Sequence, residues 1–294
     1  RNQLTTLRKT YEVSRNAAKA VMVIEMYSPD GKSTKFWTKM EEWTAMSKWY
    51  RELDRSLLYS IYNKKQDGTV DMKGKNGRPV FHGAGLREQI APSNRRYYTK
   101  LTYEILQEFL LDLSYAAEDF GGDHNFVALT GKMGMEEFDR AMKEYNNSNG
   151  LTITESGTFI TGKGSELTID GHFKTVKFVN GVTLTLKVFE PYDDRTRNRA
   201  KHPVSGKPVE SYRFTILDFG QKNGASNIRK VVAKDAGSAM WHVSGSTSPT
   251  GGVTSDINQM KASGIDGYQV HFLSECGLQV ENPLSMGELI MKVV

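Results

Sequence analysis

The sequence has little cysteine and no long hydrophobic runs. Cys276 is the only cysteine among 294 residues, which excludes an internal disulfide and any metal site built on several cysteines. A single thiol also fits a reducing cytoplasm. The apolar stretches are short, for example residues 20–24 and 109–111, whereas a transmembrane helix needs about 20 apolar residues. The sequence therefore predicts no membrane-spanning segment.

The charge of the chain is only mildly unbalanced. It has 39 basic and 34 acidic residues, and its formal net charge is +5 at pH 7. A dedicated nucleic-acid-binding protein usually gathers its basic residues on one face. A surface that only lies near DNA needs no more positive charge than this. The composition therefore favours a mixed surface over a specialised DNA-binding one.

Catalytic and metal-binding patterns are largely missing. The six histidines are His82, His124, His172, His202, His242 and His271. No two of them are three or four residues apart, so a zinc site of the HExxH type is excluded. No Gly-x-Ser-x-Gly nucleophile motif occurs. Cys276 and His271 lie too far apart on one strand to form a thiol–imidazole pair, so we expect a buried, unreactive cysteine. These absences predict a protein with no cofactor, no metal and no catalytic residues, and therefore not an enzyme.

One segment resembles a nucleotide-binding loop. Residues 157–163, GTFITGK, fit the first seven positions of a P-loop, which continues with Ser or Thr and then with a helix whose N-terminus faces the phosphates. Here Gly164 follows, and the next residues have a strand-like pattern. We interpret the segment as a β-turn. A nucleotide-processing enzyme is the alternative from a different functional class.

The chain begins with Arg1 and not with methionine, and no signal-peptide pattern follows. We expect it to begin part-way along a longer product. Either a pro-segment was removed by cleavage, or an upstream part is not included.

The first 150 residues predict a hairpin and three helices. Residues 20–27 and 33–37 are strand-like and flank the turn sequence SPDG, which predicts a β-hairpin. Thr38 and Glu41 form a capping box at the start of the first helix, which is expected to end near Asn63. The second and third helices are predicted at about residues 99–118 and 136–145. Their apolar residues recur mainly at spacings of three and four.

The first helix has a predicted apolar face. This face consists of Trp43, Met46, Tyr50, Leu53, Leu57 and Ile61. We expect Trp43 to be buried in the core because it lies on that face. The other tryptophans, Trp37, Trp49 and Trp241, are candidates for exposed aromatic contacts, with core packing as the alternative for each.

From residue 151 onward the apolar pattern alternates, as in β-strands. Residues 167–189 predict a three-stranded meander with turns at 170–171 (Asp-Gly) and 180–181 (Asn-Gly), pairs that accept the positive φ of type I′ turns. Further strands are predicted at residues 212–219, 228–233, 239–243, 268–273, 278–280 and 289–294. With helices gathered in the first half and strands in the second, the sequence predicts the α+β class.

The densest run of charge follows the predicted meander. Its basic residues are Arg195, Arg197, Arg199 and Lys201. Asp193 and Asp194 come directly before them, and we expect these aspartates to form local or intersubunit ion pairs. The run continues to Arg213 past two prolines, which predicts a long loop. The four basic residues are candidate intersubunit or DNA-facing contacts, and a solvated loop is the alternative.

Several segments, taken in order, resemble one protein family. They are GRPVFHGAGLREQIAPSN at 77–94, YYTKLTYEILQEFLLDLSY at 97–115, NFVALTGKMGMEEFDRAMKEY at 125–145, HPVSGKPVESYRFTILDFG at 202–220 and DGYQVHFLSECGLQVENPLSMGEL at 266–289. Their order and spacing resemble the major capsid proteins of tailed double-stranded DNA bacteriophages with the Hong Kong 97-like fold, and those of crAss-like phages in particular. The resemblance covers about residue 77 to the C-terminus.

The resemblance implies a long spine helix, peripheral and axial lobes and an extended β-hairpin loop. The hairpin at 20–37 followed by the helix at 40–61 suits the family's order of extended loop and then spine, and the helix at 99–118 is the rival spine. We expect residues 1–125 to hold the extended loop, the spine helix and the peripheral lobe, with part of the C-terminal strands. Residues 126–294 would hold mainly the axial lobe and a β-rich region.

The resemblance also implies a function. It predicts a major capsid protein that self-assembles into hexamers and pentamers, which form the icosahedral shell around the phage genome. The protein would reside in the virion after assembly in the cytoplasm of the host bacterium. The implied partners are other copies of the chain, portal and auxiliary or decoration proteins, and packaged double-stranded DNA by non-specific proximity. A tail-tube or sheath structural protein is the alternative within the virion.

Overall fold

The computed structural model describes most of the chain. The described residues are 2–17, 21–27, 33–70, 72–74, 76–117, 125–148, 175–178, 181–222, 225–234, 237–246 and 264–293. The helices are α1 (Met40–Tyr59), α2 (Leu86–Gln89), α3 (Tyr103–Ala117) and α4 (Lys132–Ser148). The strands are β1 (Thr5–Ser14), β2 (Val21–Tyr27), β3 (Ser33–Lys39), β4 (Arg95–Tyr98), β5 (Asn125–Thr130), β6 (Thr175–Lys177), β7 (Thr183–Val188), β8 (Phe214–Asp218), β9 (Gln221–Lys222), β10 (Ala225–Ser226), β11 (Ile228–Val232), β12 (Ala239–Ser244), β13 (Gly267–Val280) and β14 (Gly287–Met291). This mixture of helices and sheets confirms the predicted α+β class.

The chain divides into two compact units, each built from two stretches of sequence. Unit 1 consists of Arg1–Glu88 and Lys230–Gln279. Unit 2 consists of Gln89–Arg229 and Val280–Val294. The assignment of a peripheral lobe to residues 1–125 and an axial lobe to 126–294 stays a prediction, as does the identity of the spine helix.

The main sheet of unit 1 is organised around the long strand β13. It pairs antiparallel with β1 from Thr5↔Cys276 to Ser14↔Gly267, and β11 and β12 also pair with it. Gly267 has a φ of +153°, and a side chain there would bring its Cβ to 2.0 Å from the carbonyl oxygen of Val13. The sequence predicted two strands where β13 is continuous, because the apolar alternation is interrupted by Gly277.

Helix α1 packs on this sheet with a face that only partly matches the predicted one: Met46, Leu53 and Leu57 contact the core, whereas Trp43, Tyr50 and Ile61 are exposed. Its buried residues include Ala45, Trp49 and Leu53, and Trp49 stacks on Phe272 of β13 with ring centroids 5.5 Å apart. Trp43 is 41% exposed, so its predicted burial is wrong. Apolar residues recur at helical spacing on more than one side of α1, so periodicity alone did not select the buried side.

The other tryptophans have separate outcomes. Trp49 is only 2% exposed, so core packing and not surface contact is its role in the chain. Trp241 on β12 is 44% exposed and stacks on His271, with ring centroids 5.3 Å apart, which fits the candidate surface contact. The side chain of Trp37 lies outside the described residues. Its backbone belongs to β3, which pairs with β2 from Val21↔Lys39 to Tyr27↔Ser33 and confirms the predicted hairpin.

Unit 2 contains a six-stranded sheet in the order β4-β14-β8-β5-β7-β6. Helices α3 and α4 share one buried core with this sheet, and Tyr103 of α3 stacks on Tyr145 of α4. The predicted helix at 99–118 is confirmed as α3, whose buried side chains include Leu106, Phe109 and Leu113. Strand β5 was not predicted, although it lies near the centre of the sheet between β8 and β7.

Both faces of the central strand β8 are covered, since all five of its residues are buried. Phe214 and Ile216 face the core that contains α3 and α4. Because side chains alternate along a strand, Thr215 points to the opposite face, where its hydroxyl lies 2.5 Å from the hydroxyl of the fully buried Tyr192. The chain after β7 therefore covers the second face of the sheet.

Close packing of α3 on the sheet depends on Gly287 of β14. A Cβ added there would lie 2.4 Å from a ring carbon of Phe109. Leu289, two residues further on, belongs to the same core, whereas Glu288 between them points to the opposite face. The glycine lets the helix approach the strand more closely than any other residue would.

Strands β6 and β7 form a hairpin, as the Asn-Gly pair predicted. These strands pair antiparallel from Thr175↔Thr185 to Lys177↔Thr183, and Gly181 has a φ of +84°. The N–H group of Phe178 donates to the carbonyl oxygen of Val182 at 2.8 Å, which closes the turn. This hairpin is confirmed. The predicted turn at residues 170–171 and the candidate P-loop at residues 157–163 lie outside the described residues.

Candidate functional site

The predicted basic run forms the connection between β7 and β8. Arg195, Arg197, Arg199 and Lys201 are all exposed, while Asn198 in their midst is only 9% exposed. Among the described residues, Arg195, Arg199 and Lys201 have no ion-pair partner. We call residues 194–201 the basic loop. It presents positive charge on one surface of unit 2.

The basic loop is anchored by Asn198. Its side-chain amide donates to the carbonyl oxygens of Pro191 and Tyr192, at 3.1 and 2.9 Å. Its backbone N–H donates to the carbonyl oxygen of Asp194 at 3.0 Å. Two backbone carbonyls near the sheet thereby gain donors, which buried polar groups require. The exposed cations on either side are carried by a fixed backbone.

The two aspartates before the run stabilise the backbone. The Asp194 carboxylate accepts the N–H and the hydroxyl group of Thr196 at 2.9 and 2.7 Å, an arrangement that closes a tight turn. The Asp193 carboxylate accepts the N–H of Lys132, the first residue of α4, at 3.1 and 3.2 Å. A carboxylate at a helix N-terminus satisfies free N–H groups and complements the helix dipole. Hydrogen bonding to backbone N–H groups is thus a role of both aspartates that the expected ion pairing did not include.

A serine completes the cap of α4. The hydroxyl of Ser211 donates to the Asp193 carboxylate at 2.5 Å and accepts the N–H of Met133 at 3.1 Å. Both ends of the β7–β8 connection are therefore attached to the start of α4. The helix begins four residues earlier than predicted, because its cap comes from residues distant in sequence.

The remainder of the connection is a tight turn. Lys201 and Pro208 form an antiparallel bridge, and Gly206 has a φ of +65°. The hydroxyl of Tyr212 donates to that of Ser205 at 2.7 Å. Val204 at the tip is 90% exposed. The predicted long loop is therefore a closely hydrogen-bonded structure.

Tyr98 of β4 attaches the end of this connection to the sheet. Its hydroxyl donates to the carbonyl oxygen of Tyr212. Burial raises the pKa of the Tyr98 hydroxyl well above its usual range, so the group stays protonated and remains a donor. The end of the connection is thus held by a hydroxyl that stays protonated at neutral pH.

Arg213, at the end of the predicted basic run, does not belong to the exposed surface. Its guanidinium pairs with Glu210 at 2.8 Å and with Glu288 of β14 at 3.1 Å, and Glu288 is only 1% exposed. Arg95 lies 3.7 Å from the same Glu288 carboxylate. This buried network was missed by the sequence analysis. The sequence gives little indication of this network, because Glu288 falls just before a predicted strand and its basic partners are far away in sequence.

An open cleft of about 540 Å³ lies beside the connection. Residues of α4 and residues 202–205 contribute to its lining. Its charged side chains pair with one another: Lys100 with Glu144 at 2.8 Å, and Arg140 with Glu137. This arrangement is typical of a polar surface and does not assemble a nucleophile with a base.

The remaining candidate chemistry is sparse in the described part of the chain. No group of three His, Cys, Asp or Glu residues there could hold a metal ion. Cys276 is 1% exposed, which confirms its predicted burial. His271, on the same strand, has its ring nitrogen 2.9 Å from the hydroxyl of Thr10. Within the described ranges, no helix has both the length and the apolar character needed to cross a membrane.

Solved structures similar to this chain include an encapsulin and phage capsids. One is the SrpI encapsulin of Synechococcus elongatus, with a TM-score of 0.45 and 12% identity over 98% of this chain and 73% of that one. Another is the procapsid of satellite phage P4, with a TM-score of 0.42 and 9% identity over 100% of this chain and 72% of that one. A third is the capsid of Myoviridae phage XM1, with a TM-score of 0.38 and 11% identity over 98% and 86%. At TM-scores below 0.5, these similarities carry no argument about the arrangement of the elements.

Sequence comparison is more informative. The major capsid protein of Bacteroides phage crAss001 is 26% identical over 309 residues, which cover 100% of this chain and 60% of that relative. The chain thus spans 60% of the length of the curated relative that it matches. The model of the Crassvirus major capsid protein family matches residues 1–294. The chain belongs to the Crassvirus major capsid protein family.

Proposed function

We propose that the chain is a shell subunit, copies of which assemble into hexamers and pentamers around the packaged DNA of a phage. The family match over residues 1–294 carries this proposal. Hexamers and pentamers are rings of head-to-tail contacts, in which one surface of a subunit meets a different surface of the next. A subunit of this kind needs fixed complementary surfaces and no catalytic cavity.

The proposal includes partners and a place of assembly. The subunit would form the shell of the virion after assembly in the host cytoplasm, together with portal and decoration proteins. Packaged double-stranded DNA would lie near the inner surface without sequence-specific contacts, which suits the mild net charge of +5. No cofactor takes part.

Electron microscopy of the purified full chain tests the shell function. The expected result is closed particles or sheets that contain rings of six and five subunits. Open tubes would instead identify a tail component and contradict the proposal.

A catalytic role is tested by ATP hydrolysis, because residues 157–163 resemble part of a P-loop. We expect no hydrolysis above background. Hydrolysis that disappears in Lys163→Ala would contradict the assignment as a purely structural subunit.

We further propose that the basic loop, with Arg195, Arg197, Arg199 and Lys201, is an intersubunit contact. Its cations are exposed, and its backbone is held by Asn198 and Asp194. A contact that is already ordered before binding loses less conformational entropy on association. Three of the four cations are arginines, which can bind a carboxylate through two parallel hydrogen bonds.

The triple variant Arg195→Glu, Arg197→Glu and Arg199→Glu tests this contact. We expect a folded monomer that does not form particles, because reversed charges repel the surface that the arginines would meet. Sedimentation velocity measures assembly, and circular dichroism measures folding. Normal particles from the triple variant would refute the intersubunit role. Particles that form normally but hold less DNA would assign the loop to DNA instead.

A further inference from the structure

Helix α3 has an acidic outer face. Glu104, Glu108 and Asp112 are exposed and recur every four residues, so they lie in a row along the helix. Tyr115 continues this row by one more turn and is 64% exposed. We call these four residues the acidic stripe.

The acidic stripe keeps its negative charge in the folded unit. Arg96 of β4 pairs with Glu108 at 3.3 Å and with Asp112. In the described part of the chain, Glu104 has no ion-pair partner. Three carboxylates therefore face a single guanidinium, and the stripe is net negative at neutral pH.

The acidic stripe and the basic loop are carried by different elements of unit 2, helix α3 and the β7–β8 connection. The inner side of α3 packs on the face formed by Phe214 and Leu289, so the stripe points outward from that side. The basic loop is anchored on Tyr192, which covers the opposite face through Thr215. The stripe and the loop are therefore separate surfaces of one unit, and no ion pair joins them among the described residues.

We propose that the acidic stripe binds the basic loop of a second copy of this chain. The inference rests on the proposed shell function and names the surface that receives the loop. Two different surfaces of one unit then meet between neighbouring copies, which is the head-to-tail contact that closes a ring by rotation. Unit 2 carries both the basic loop and the acidic stripe, so every copy can offer its loop to one neighbour and its stripe to another.

The side chains on the two surfaces suit each other. Arginine guanidinium groups form paired hydrogen bonds with carboxylates and also stack on aromatic rings. The acidic stripe offers both partners, because Tyr115 lies one turn beyond Asp112. Each exposed pair contributes little alone, but the contact repeats in every ring and sets the orientation of the neighbours.

A charge swap in the full chain tests the inference. One variant carries Arg195→Glu and Arg199→Glu, a second carries Glu104→Arg and Glu108→Arg, and a third carries all four changes. We expect each double variant to lower the yield of particles at least about tenfold, and the fourfold variant to recover to within about threefold of the wild type, because opposite charges again face each other. Particle yield is measured by sedimentation and electron microscopy.

A matched control is Lys177→Glu with Lys187→Glu, which changes the net charge by the same amount on exposed positions of β6 and β7. We expect normal particles from it. Thermal unfolding checks that each variant is folded. The stripe variant removes one partner of Arg96. If that loss unfolds the protein, Glu104→Arg with Tyr115→Ala takes its place, because this pair of changes leaves both ion pairs of Arg96 intact.

Two results would overturn the inference while leaving the shell function intact. One is normal assembly of the folded stripe variant, and the other is a folded fourfold variant that assembles no better than the loop variant. If the wild-type chain itself forms no shells or sheets, the proposed function fails first. Particles of the loop variant that assemble normally but hold less DNA would also overturn the contact between copies.

Discussion

The two units of the chain bury their sheets to different extents. Among the described residues, the core cluster of unit 2 contains 22 buried side chains and that of unit 1 contains eight. In unit 2 every residue of β8 is buried, because helices cover one face and the β7–β8 connection covers the other. In unit 1 the strand β1 alternates between buried or half-buried and exposed residues, and the corresponding residues of β13 are half-buried, so one face of this sheet is only partly covered.

A sheet covered on both faces gives a rigid base for the basic loop and the acidic stripe, which rely on fixed backbone positions. Both units leave large aromatic side chains at the surface, among them Trp43, Tyr50 and Trp241 in unit 1 and Tyr97 and Tyr115 in unit 2. Exposed aromatic residues are favourable in protein–protein contacts because they bury much area with little loss of conformational entropy. The contacts that we propose for unit 2 rest on charge, and both units add exposed aromatic surface.

The largest expected effect is in the small core of unit 1. Trp49→Ala should lower the free energy of unfolding by about 3–5 kcal/mol, because it removes a buried ring that stacks on Phe272. Trp43→Ala in the same helix should cost less than about 1 kcal/mol, since Trp43 is 41% exposed. Urea unfolding measures both. Equal losses would show that α1 packs with both faces and would remove the contrast between the units.

The second-largest expected loss of stability concerns the buried ion pair of Arg213 and Glu288 in unit 2. Arg213→Met should lower the free energy of unfolding by about 3 kcal/mol, because Glu288 would lose its nearest cation in a buried place. The control Arg96→Met breaks an ion pair whose arginine side chain is 37% exposed and should cost less than about 1 kcal/mol. Both are measured by urea unfolding at pH 7. A stable Arg213→Met protein would mean that the network contributes nothing net to stability.

A smaller effect is expected from crowding the tight core of unit 2. Gly287→Ala should cost about 1–3 kcal/mol, since the new Cβ would lie 2.4 Å from the ring of Phe109. Gly264→Ala in unit 1 is the control, because nothing lies within 4 Å of its added Cβ, and it should change stability by less than about 0.5 kcal/mol. Thermal unfolding of the two variants measures the difference. Equal melting temperatures would show that α3 can move away from β14 at no cost.

The smallest effect is expected on the partly covered face of unit 1. Trp241→Ala should change the free energy of unfolding by less than about 1 kcal/mol, because its ring is 44% exposed and stacks only on His271 among the described aromatic residues. Comparison with Trp49→Ala under the same conditions is the control. A loss near that of Trp49 would show that this face is part of the core.

Several features followed from local sequence patterns. Helix α3 was predicted because its apolar residues recur at helical spacing and most of its length is buried on one side. The hairpin of β6 and β7 was predicted from the Asn-Gly pair at residues 180–181, since positive φ is a local requirement. The exposure of Arg195 and Arg199 could also be predicted from the sequence, because charged residues between turn residues are rarely buried in a core.

Features that depend on distant partners were missed or misplaced. The buried face of α1 was only partly predicted, because β13, more than 200 residues later, selected Trp49 and not Trp43. Strand β5 was missed because its pattern is short and its partners β7 and β8 come much later in the chain. Arg213 was grouped with the surface cations, since its partner Glu288 is 75 residues away.

The sequence by itself determined the α+β class, the main helices, the exposed basic residues of the loop and the family resemblance, because each depends on short-range periodicity, turn chemistry or an ordered series of motifs. Only the tertiary structure decided which tryptophan is buried, that Asp193 and Ser211 cap α4, and that Arg213 pairs with the buried Glu288. These features arise from pairings between residues far apart in the chain. Such pairings depend on how surfaces pack in three dimensions, and local sequence patterns do not show which distant residues will pack together.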